Sequence, residues 1–177
     1  MKLNWSKLSS LEKLQFYKMS TEDRYKYMLL IQKGSPYGWG KESPETADCS
    51  GAVCLAIMAG IGKGIRTTAN GLYHEIFTEA PNGIDVAFYQ TKKPQKHGNR
   101  TVPDGHIVHV AGFVDKGVVL NMTPPKAKIQ SIESFTNYGD RYGFKVIIRG
   151  ASMSQLRKHD GILMSGIDQV IDDLFKE

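Results

Sequence analysis

The chain has little cysteine and no long hydrophobic run. Its two cysteines, Cys49 and Cys54, stand among 177 residues, too few for the disulfide framework of a small secreted domain. The longest mostly apolar run, Ala52 to Ile61, is too short to span a bilayer. The first ten residues lack the apolar segment of a secretory signal peptide. We therefore expect no transmembrane segment and no classical export signal.

The charge is moderately basic but not concentrated. Hydrophobic residues make up 41% and charged residues 23% of the chain, an ordinary globular composition for one domain. The formal net charge of +5 suits an anionic partner such as nucleic acid, a wall polymer or a membrane surface, or it serves solubility alone. No block of six residues is uniformly basic, so we expect no nucleic-acid footprint.

Helical patterns occupy the first part of the chain and strand patterns the second. Ser9 with Glu12, and Ser20 with Asp23, each fit a helix start. Apolar residues on nearly every face of residues 49–59 predict a buried helix. This order predicts an α+β domain. The predicted strands are 84–89, 107–114, 118–122 and 144–148, with a polar excursion at 91–105 and a closing helix at 165–177.

The stretch ETADCSGAVC, residues 45–54, has the features of an activated cysteine. Asp48 is a good N-cap, which would place Cys49 in the first helical turn, where unpaired N–H groups favour a thiolate. Gly51 removes a side chain near the sulfur and would leave room for a substrate backbone. The alternative is an ordinary capped core helix. On a helix Cys54 would point elsewhere, so we expect no disulfide.

A cysteine nucleophile needs a general base, and the chain has five histidines. His97 lies in the polar excursion and His159 in a charged stretch, so both are expected to be surface residues. His74 is placed on a predicted helix as a partly buried core residue. His106 and His109 flank the start of a predicted strand and are the two remaining candidates.

The DKG segment after this strand distinguishes the two candidates. A three-residue loop would pair Val114 with Val118, and His109 would then share one sheet face with Asn121 while His106 takes the other. A two-residue loop would assign His106 instead. A solvent-facing sheet surface is the alternative explanation of these polar positions. Cysteine, histidine and an orienting amide together form a catalytic triad.

Four segments in this order resemble the NlpC-type cell-wall cysteine peptidases. PYGWGKESPETADCSGAV, residues 36–53, is similar to the family signature of Tyr-x-Trp-Gly followed by Asp-Cys-Ser-Gly. IRTTA (65–69), GIDVAFY (83–89) and HVAGFVDKGVVLNM (109–122) resemble the three segments that follow it. The resemblance implies one domain over residues 1–177, divided into a helical extension (1–21), a catalytic core (22–150) and a C-terminal helix (151–177).

The resemblance implies a papain-like α+β fold with the nucleophile helix packed on a central antiparallel sheet. It also implies hydrolysis of peptide bonds in peptidoglycan stems, often between D-glutamate and a diamino acid, without a metal or other cofactor. Its partner would be peptidoglycan or a muropeptide, and it leaves the oligomeric state open. The matching positions assign three catalytic roles: Cys49 is the nucleophile, His109 the base and Asn121 the orienting residue. They also place Tyr37 near the sulfur. Asp48 and Ser50 would line the pocket for the substrate's amine side.

The sequence departs from the family pattern in four places. Lys41 stands where a second glycine is usual, and Ile84 is inserted between the glycine and aspartate of its motif. Asn121 stands where histidine is commoner, although an amide oxygen can still accept from an imidazole N–H. The 91–105 segment is longer and more basic than the family pattern.

Two other classes of function fit parts of this pattern. A catalytically silent wall-binding or phage tail module would keep the fold, but the intact cysteine, histidine and asparagine argue against it. An amidase or acyltransferase of the same superfamily would keep the chemistry. Without an export signal or a wall-binding repeat, a phage-derived lysin or tail enzyme and a cytoplasmic enzyme of muropeptide recycling are both expected contexts.

Overall fold

A five-stranded antiparallel sheet forms the centre of the molecule. The computed structural model describes residues 9–61 and 65–157. Strand order in the sheet is β8-β7-β6-β3-β9, and two-stranded ribbons β1–β2 and β4–β5 lie outside it. The strands are β1 Glu42–Ser43, β2 Thr46–Ala47, β3 Asp85–Thr91, β4 Gln95–His97, β5 Arg100–Val102, β6 Ile107–Asp115, β7 Val118–Asn121, β8 Lys128–Ser131 and β9 Phe144–Gly150.

The helices begin where short polar side chains cap them. Ser9 forms a capping box with Glu12, and the Ser20 side chain accepts from the Asp23 N–H, so both predicted helix starts are confirmed. The helices are α1 Ser10–Tyr17, α2 Thr21–Ile31, α3 Cys49–Ile61, α4 Ala69–Gly71, a π-helical turn at Leu72–Ile76, α5 Ile132–Arg141 and α6 Met153–Arg157.

The sheet carries one apolar core on each face because side chains alternate along its strands. Helices α2 and α3 pack on β6 on one face, over residues such as Val86 and Val110. Phe135 of α5 packs on the other face with Ala87 and Tyr89. The predicted α+β class, with the helix that starts at Cys49 packed on a central antiparallel sheet, is therefore confirmed.

Some elements differ from the sequence prediction. The 91–105 excursion contains the ribbon β4–β5, and neither β8 nor α5 was predicted. The predicted closing helix, 165–177, lies outside the described residues. No helix in the described ranges is long and apolar enough to cross a membrane.

The turn between β6 and β7 is tighter than predicted. Asp115 pairs with Val118, so two residues rather than three form the loop, and the expected pair of Val114 with Val118 is wrong. Gly117, at a φ of 70°, adopts the left-handed conformation that glycine favours and closes this turn. A register shift at Val114 adds one residue to β6 as a bulge.

The bulge restores the register that the three-residue loop would have produced. Gly112 lies opposite Leu120, which puts Asn121 opposite the residue before Gly112. His109 therefore shares a sheet face with Asn121, as predicted, even though the loop has two residues. His106 precedes β6, where its backbone N–H and C=O both bond Thr91.

Candidate active site

The half-buried Cys49 occupies the first turn of α3. Asp48 caps the helix as expected, because its Oδ1 accepts from the Gly51 N–H at 2.7 Å and its C=O accepts from the Ala52 N–H at 3.0 Å. The N–H groups of Cys49 and Ser50, at the very start of the helix, have no helical partner and lie near the sulfur. Cys54 is fully buried in the core, and both cysteines are free thiols, as expected.

An ionic network holds the Asp48 carboxylate in place. Oδ1 also accepts from the Ser50 hydroxyl at 3.1 Å, and Oδ2 accepts from the Gly40 N–H at 2.9 Å and from Arg66 Nη2 at 2.8 Å. Arg66 Nη1 donates to the Ser50 hydroxyl at 3.0 Å, and Arg66 Nε lies 3.8 Å from Glu42. The two carboxylate oxygens thus accept four hydrogen bonds, about as many as a carboxylate can accept.

The absence of a side chain at Gly51 makes room for the protein's own backbone and not for a substrate backbone. A Cβ at this position would lie 2.2 Å from the Lys41 carbonyl oxygen and 3.0 Å from Asp48 Oδ1. The expected open space next to the sulfur is therefore filled by the loop before β1. This close approach also lets the Lys41 carbonyl accept from the Asp48 N–H at 3.1 Å.

Three side chains, one each from β6, β7 and β8, form a hydrogen-bonded row. His109 Nε2 lies 2.7 Å from Asn121 Oδ1, and Asn121 Nδ2 donates to Gln130 Oε1 at 3.3 Å. An amide oxygen can only accept, so Nε2 carries the proton and Nδ1 has the free lone pair. The His109 ring also stacks on Tyr89 at 5.4 Å, and the Tyr89 hydroxyl donates to the Phe135 carbonyl at 2.6 Å.

The Cys49 thiol lies beside β6, the strand that carries His109. Asn121 is the last residue of β7, so Val110 lies beyond the β6–β7 pairs, although it pairs with Phe88 of β3. The Cys49 sulfur lies near the Val110 N–H, one residue after His109. The structure therefore brings Cys49 next to the strand that carries His109, with Asn121 hydrogen-bonded to the imidazole.

Burial favours the neutral forms of Cys49 and His109. Burial first, and the charge of Asp48 next, raise the pKa of the Cys49 thiol to about 11, although N–H groups of Val110 and Ser50 oppose the shift. The sequence led us to expect a thiolate, but desolvation outweighs the helix terminus. Burial also lowers the pKa of His109 to about 4, against the opposing effect of the Asn121 hydrogen bond.

Tyr37 and Trp39 lie on the loop before β1. Burial, followed by the charges of Cys49 and Asp48, raises the pKa of Tyr37 to about 12, so its phenol keeps its proton. Trp39 is 79% exposed. The Gly40 N–H bond to Asp48 anchors the loop.

A cavity of about 280 Å³ opens beside His109 and Asn121. Cys49 and Tyr37 are not among its described lining residues. The lining residues are Tyr89, His97, Val108, His109, Asn121, Thr123, Pro124, Lys128, Gln130, Tyr138 and Phe144.

One of the other histidines differs from its expected setting. His97 is exposed, as expected, and it also lines this cavity. His74 was expected to be partly buried and is exposed on the π-helical turn. His159 lies outside the described residues.

Sequence reasoning missed three site residues. Arg66 stood in the quoted IRTTA motif, but only the fold shows that it pairs with Asp48. Gln130 and Tyr89 contact the histidine–asparagine pair from strands distant in the chain. The alternation of β8 offered a weak signal for Gln130.

One curated protein shows sequence similarity to the chain. Murein DD-endopeptidase MepH from Escherichia coli (strain K12) is 32% identical over 122 residues, which cover 64% of this chain and 41% of that protein. The chain thus spans well under half of the relative it matches. No family model matches the chain.

Solved structures share its fold at low sequence identity. NlpC2 from Trichomonas vaginalis aligns with a TM-score of 0.54 and 17% identity over 85% of this chain and 51% of that one. An NLP/P60 family protein from Staphylococcus aureus subsp. aureus Mu50, described as similar to a lipoprotein, aligns with a TM-score of 0.52 and 18% identity over 73% and 41%. An NLPC/P60 family protein from Bacillus cereus ATCC 10987 gives 0.53 and 16% over 71% and 38%. The chain therefore shares the fold of NlpC/P60 family structures, and part of it is similar in sequence to the E. coli endopeptidase.

Proposed function

We propose that the chain is a cysteine peptidase that hydrolyses peptide bonds in peptidoglycan stem peptides. Cys49 is the nucleophile, His109 the general base and Asn121 the residue that orients the imidazole. The observation that carries the proposal is the 2.7 Å contact of His109 Nε2 with Asn121 Oδ1 on the strand beside the Cys49 thiol. The similarity to a protein named murein DD-endopeptidase supports the substrate class.

The proton leaves sulfur as the nucleophile attacks. Because both groups rest in their neutral forms, His109 Nδ1 takes the Cys49 proton while the sulfur–carbon bond forms at the scissile carbonyl. Asn121 accepts from Nε2–H and stabilises the imidazolium that results. This concerted transfer replaces the preformed thiolate expected from the sequence.

The oxyanion and the leaving amine are handled by separate groups. N–H groups at the start of α3, including that of Cys49, donate to the negative oxygen of the tetrahedral intermediate. The imidazolium then gives its proton to the leaving nitrogen as the carbon–nitrogen bond breaks. Water, activated by the same imidazole, hydrolyses the thioester and returns the proton to sulfur.

The residues on the other side of the sulfur contact the acyl part of the substrate. The protonated Tyr37 phenol donates to substrate or intermediate, and Ser50 borders the same pocket. Asp48 was expected to line the pocket for the substrate's amine side, and its oxygens already accept from four donors of the protein. We therefore assign Asp48 to shaping this pocket together with Arg66.

The proposed scissile bond joins D-glutamate to a diamino acid. The similar E. coli protein is named for a DD bond, so both bond types belong in the test. The chain and its Cys49→Ala variant are incubated with purified peptidoglycan and with defined stem peptides, and new free amines are counted. Mass spectrometry of the products identifies the bond. Equal amine release by the two proteins, or none by either, would refute the function.

A further inference from the structure

The cavity beside His109 lies on the side of the catalytic centre that receives the leaving amine. In the proposed reaction, the proton on His109 passes to the leaving nitrogen, so that nitrogen must approach the imidazole. The cavity is lined by His109 and Asn121, whereas Cys49 and Tyr37 are not among its described lining residues. The residue that follows the scissile bond therefore enters this cavity.

One cationic side chain, Lys128, lines the cavity. Lys128 pairs directly with Asn121 across β7 and β8, so the two side chains project from the same sheet face. Lys128 and His97 line the cavity with His109, and no described aspartate or glutamate does. Among the described residues, Lys128 takes part in no ion pair.

The remaining walls of the cavity are uncharged and suit the uncharged part of a substrate residue. Tyr138 and Phe144 flank Tyr89, whose ring stacks on Phe144 at 5.1 Å and on Tyr138 at 6.4 Å between centroids. Thr123 and Pro124 also line the cavity. An aromatic wall with a cationic end matches an amino acid that carries both a carbon chain and a carboxylate.

We propose that this cavity binds the leaving residue and that Lys128 binds a free carboxylate on it. The inference rests on the proposed peptidase function and names the specificity of the same site. The substrate class it predicts is a stem peptide in which the residue after the scissile bond carries a free carboxylate. An amidated or otherwise neutralised residue at that position leaves the ammonium of Lys128 without its partner.

Matched acid and amide substrates test this specificity. The pairs are L-Ala–γ-D-Glu–L-Lys with its lysinamide, and diacetyl-L-Lys–D-Ala–D-Ala with its D-alaninamide. For the bond that the chain cleaves, we expect kcat/KM to be roughly tenfold higher for the acid, the size of one charge-assisted contact in a partly exposed site. The preference should shrink as salt is raised.

Substitutions of two nearby lysines separate the cavity from general charge. Lys128→Met should reduce the acid preference to near one, and Lys128→Arg should retain it. Lys126 is exposed two residues away and is not among the lining residues, so Lys126→Met should keep the full preference. The assignment is overturned if Lys128→Met keeps the preference for the acid substrate. It is also overturned if Lys126→Met removes that preference as much as Lys128→Met does.

A binding measurement keeps this inference separate from the proposed function. The Cys49→Ala variant is titrated with the same four peptides and followed by NMR. We expect tighter binding of the acids, and its loss when Lys128→Met is added. If no peptide is hydrolysed by the chain but this difference is present, the peptidase proposal fails and the carboxylate site stands. Equal binding of acid and amide refutes the site whatever the activity.

Discussion

At the residue scale, the two cysteines have separate tasks. Cys49 is half-buried at the site, whereas Cys54 is fully buried and contacts the Thr67 carbonyl at 3.8 Å. Cys49→Ala should abolish amine release and leave the urea midpoint nearly unchanged. Cys54→Ala should keep the activity and lower the free energy of unfolding by roughly 1–2 kcal/mol, because it leaves a small core cavity. If Cys54→Ala is the inactive variant, the nucleophile is misassigned.

Gln130 decides which end of the Asn121 amide faces the imidazole. Because Gln130 Oε1 accepts from Asn121 Nδ2, the amide oxygen is left for His109 Nε2. Without that acceptor the amide can rotate by half a turn and present its NH₂ group. Nε2 would then accept, the proton would move to Nδ1, and the base would be lost.

Gln130→Met should therefore lower kcat about tenfold or more with little change in KM. Gln130→Glu keeps an acceptor and should retain most of the rate. In an Asn121→Asp background both oxygens accept, so adding Gln130→Met should cost much less. Long-range ¹H–¹⁵N NMR of His109 reports the tautomer directly. Equal losses in the two backgrounds, with an unchanged tautomer, would mean that Gln130 has only a structural role.

At the element scale, short-range signals were sufficient for some parts of the site. Asp48 as a cap depends on residues within one turn, and the face shared by His109 and Asn121 depends on strand alternation across one hairpin. The Val114 bulge was not visible in the sequence, because a one-residue shift is set by packing on both faces of β6. The correct face was predicted from a wrong loop length, since the bulge compensated for it.

Other elements depend on contacts that the local sequence does not encode. β8 is four residues long and finds its place only by pairing with β7. The pairing of Arg66 with Asp48 joins residues 18 positions apart. The β4–β5 ribbon has a polar sequence without strand alternation. Such features follow from tertiary structure, which overrides local propensity.

The loop before β1 packs so closely on α3 at Gly51 that adding a side chain there should destabilise the protein. In Gly51→Ala the new Cβ would meet the Lys41 carbonyl at 2.2 Å, and backbone cannot swing aside as a side-chain tip can. We expect the free energy of unfolding to fall by roughly 1–3 kcal/mol and kcat to fall with it, because the capped turn that holds Cys49 must shift.

Gly60→Ala in the same helix is the matched control for this prediction. There the Cβ would lie 3.2 Å from the Thr21 carbonyl, a much milder approach. Denaturant unfolding and initial rates measure both variants. A Gly51→Ala protein with full stability and activity would show that the loop moves freely from the helix.

At the scale of the whole molecule, His109 makes stability depend on pH. Its folded pKa of about 4 lies below the ordinary 6.5, so the unfolded chain binds this proton more readily than the folded protein. The contribution of His109 to stability is therefore complete above pH 6.5. It falls as the pH drops toward 4, by about 1.4 kcal/mol per pH unit at most.

Thermal unfolding between pH 4 and 7 tests this dependence. His109→Gln keeps a hydrogen-bonding side chain without a titrating ring, and its melting temperature should fall less steeply with acid than that of the parent. His74→Gln, at an exposed histidine, should follow the parent. Parallel curves for the parent and His109→Gln would contradict a buried neutral imidazole.

The strand order of the sheet governs when the site can form during synthesis. β3 is paired on one side by β6 and on the other by β9, and Asp85 pairs with Gly150. A ribosome must therefore release the chain past residue 150 before β3 gains its second neighbour, and such long-range closure is slow. Until then Tyr89, which supports the imidazole of His109, lies in an edge strand. Cys49 thus leaves the ribosome about a hundred residues before β9 can support the strand next to His109, so the ordered His109–Asn121 pair forms only after residue 150 has been made.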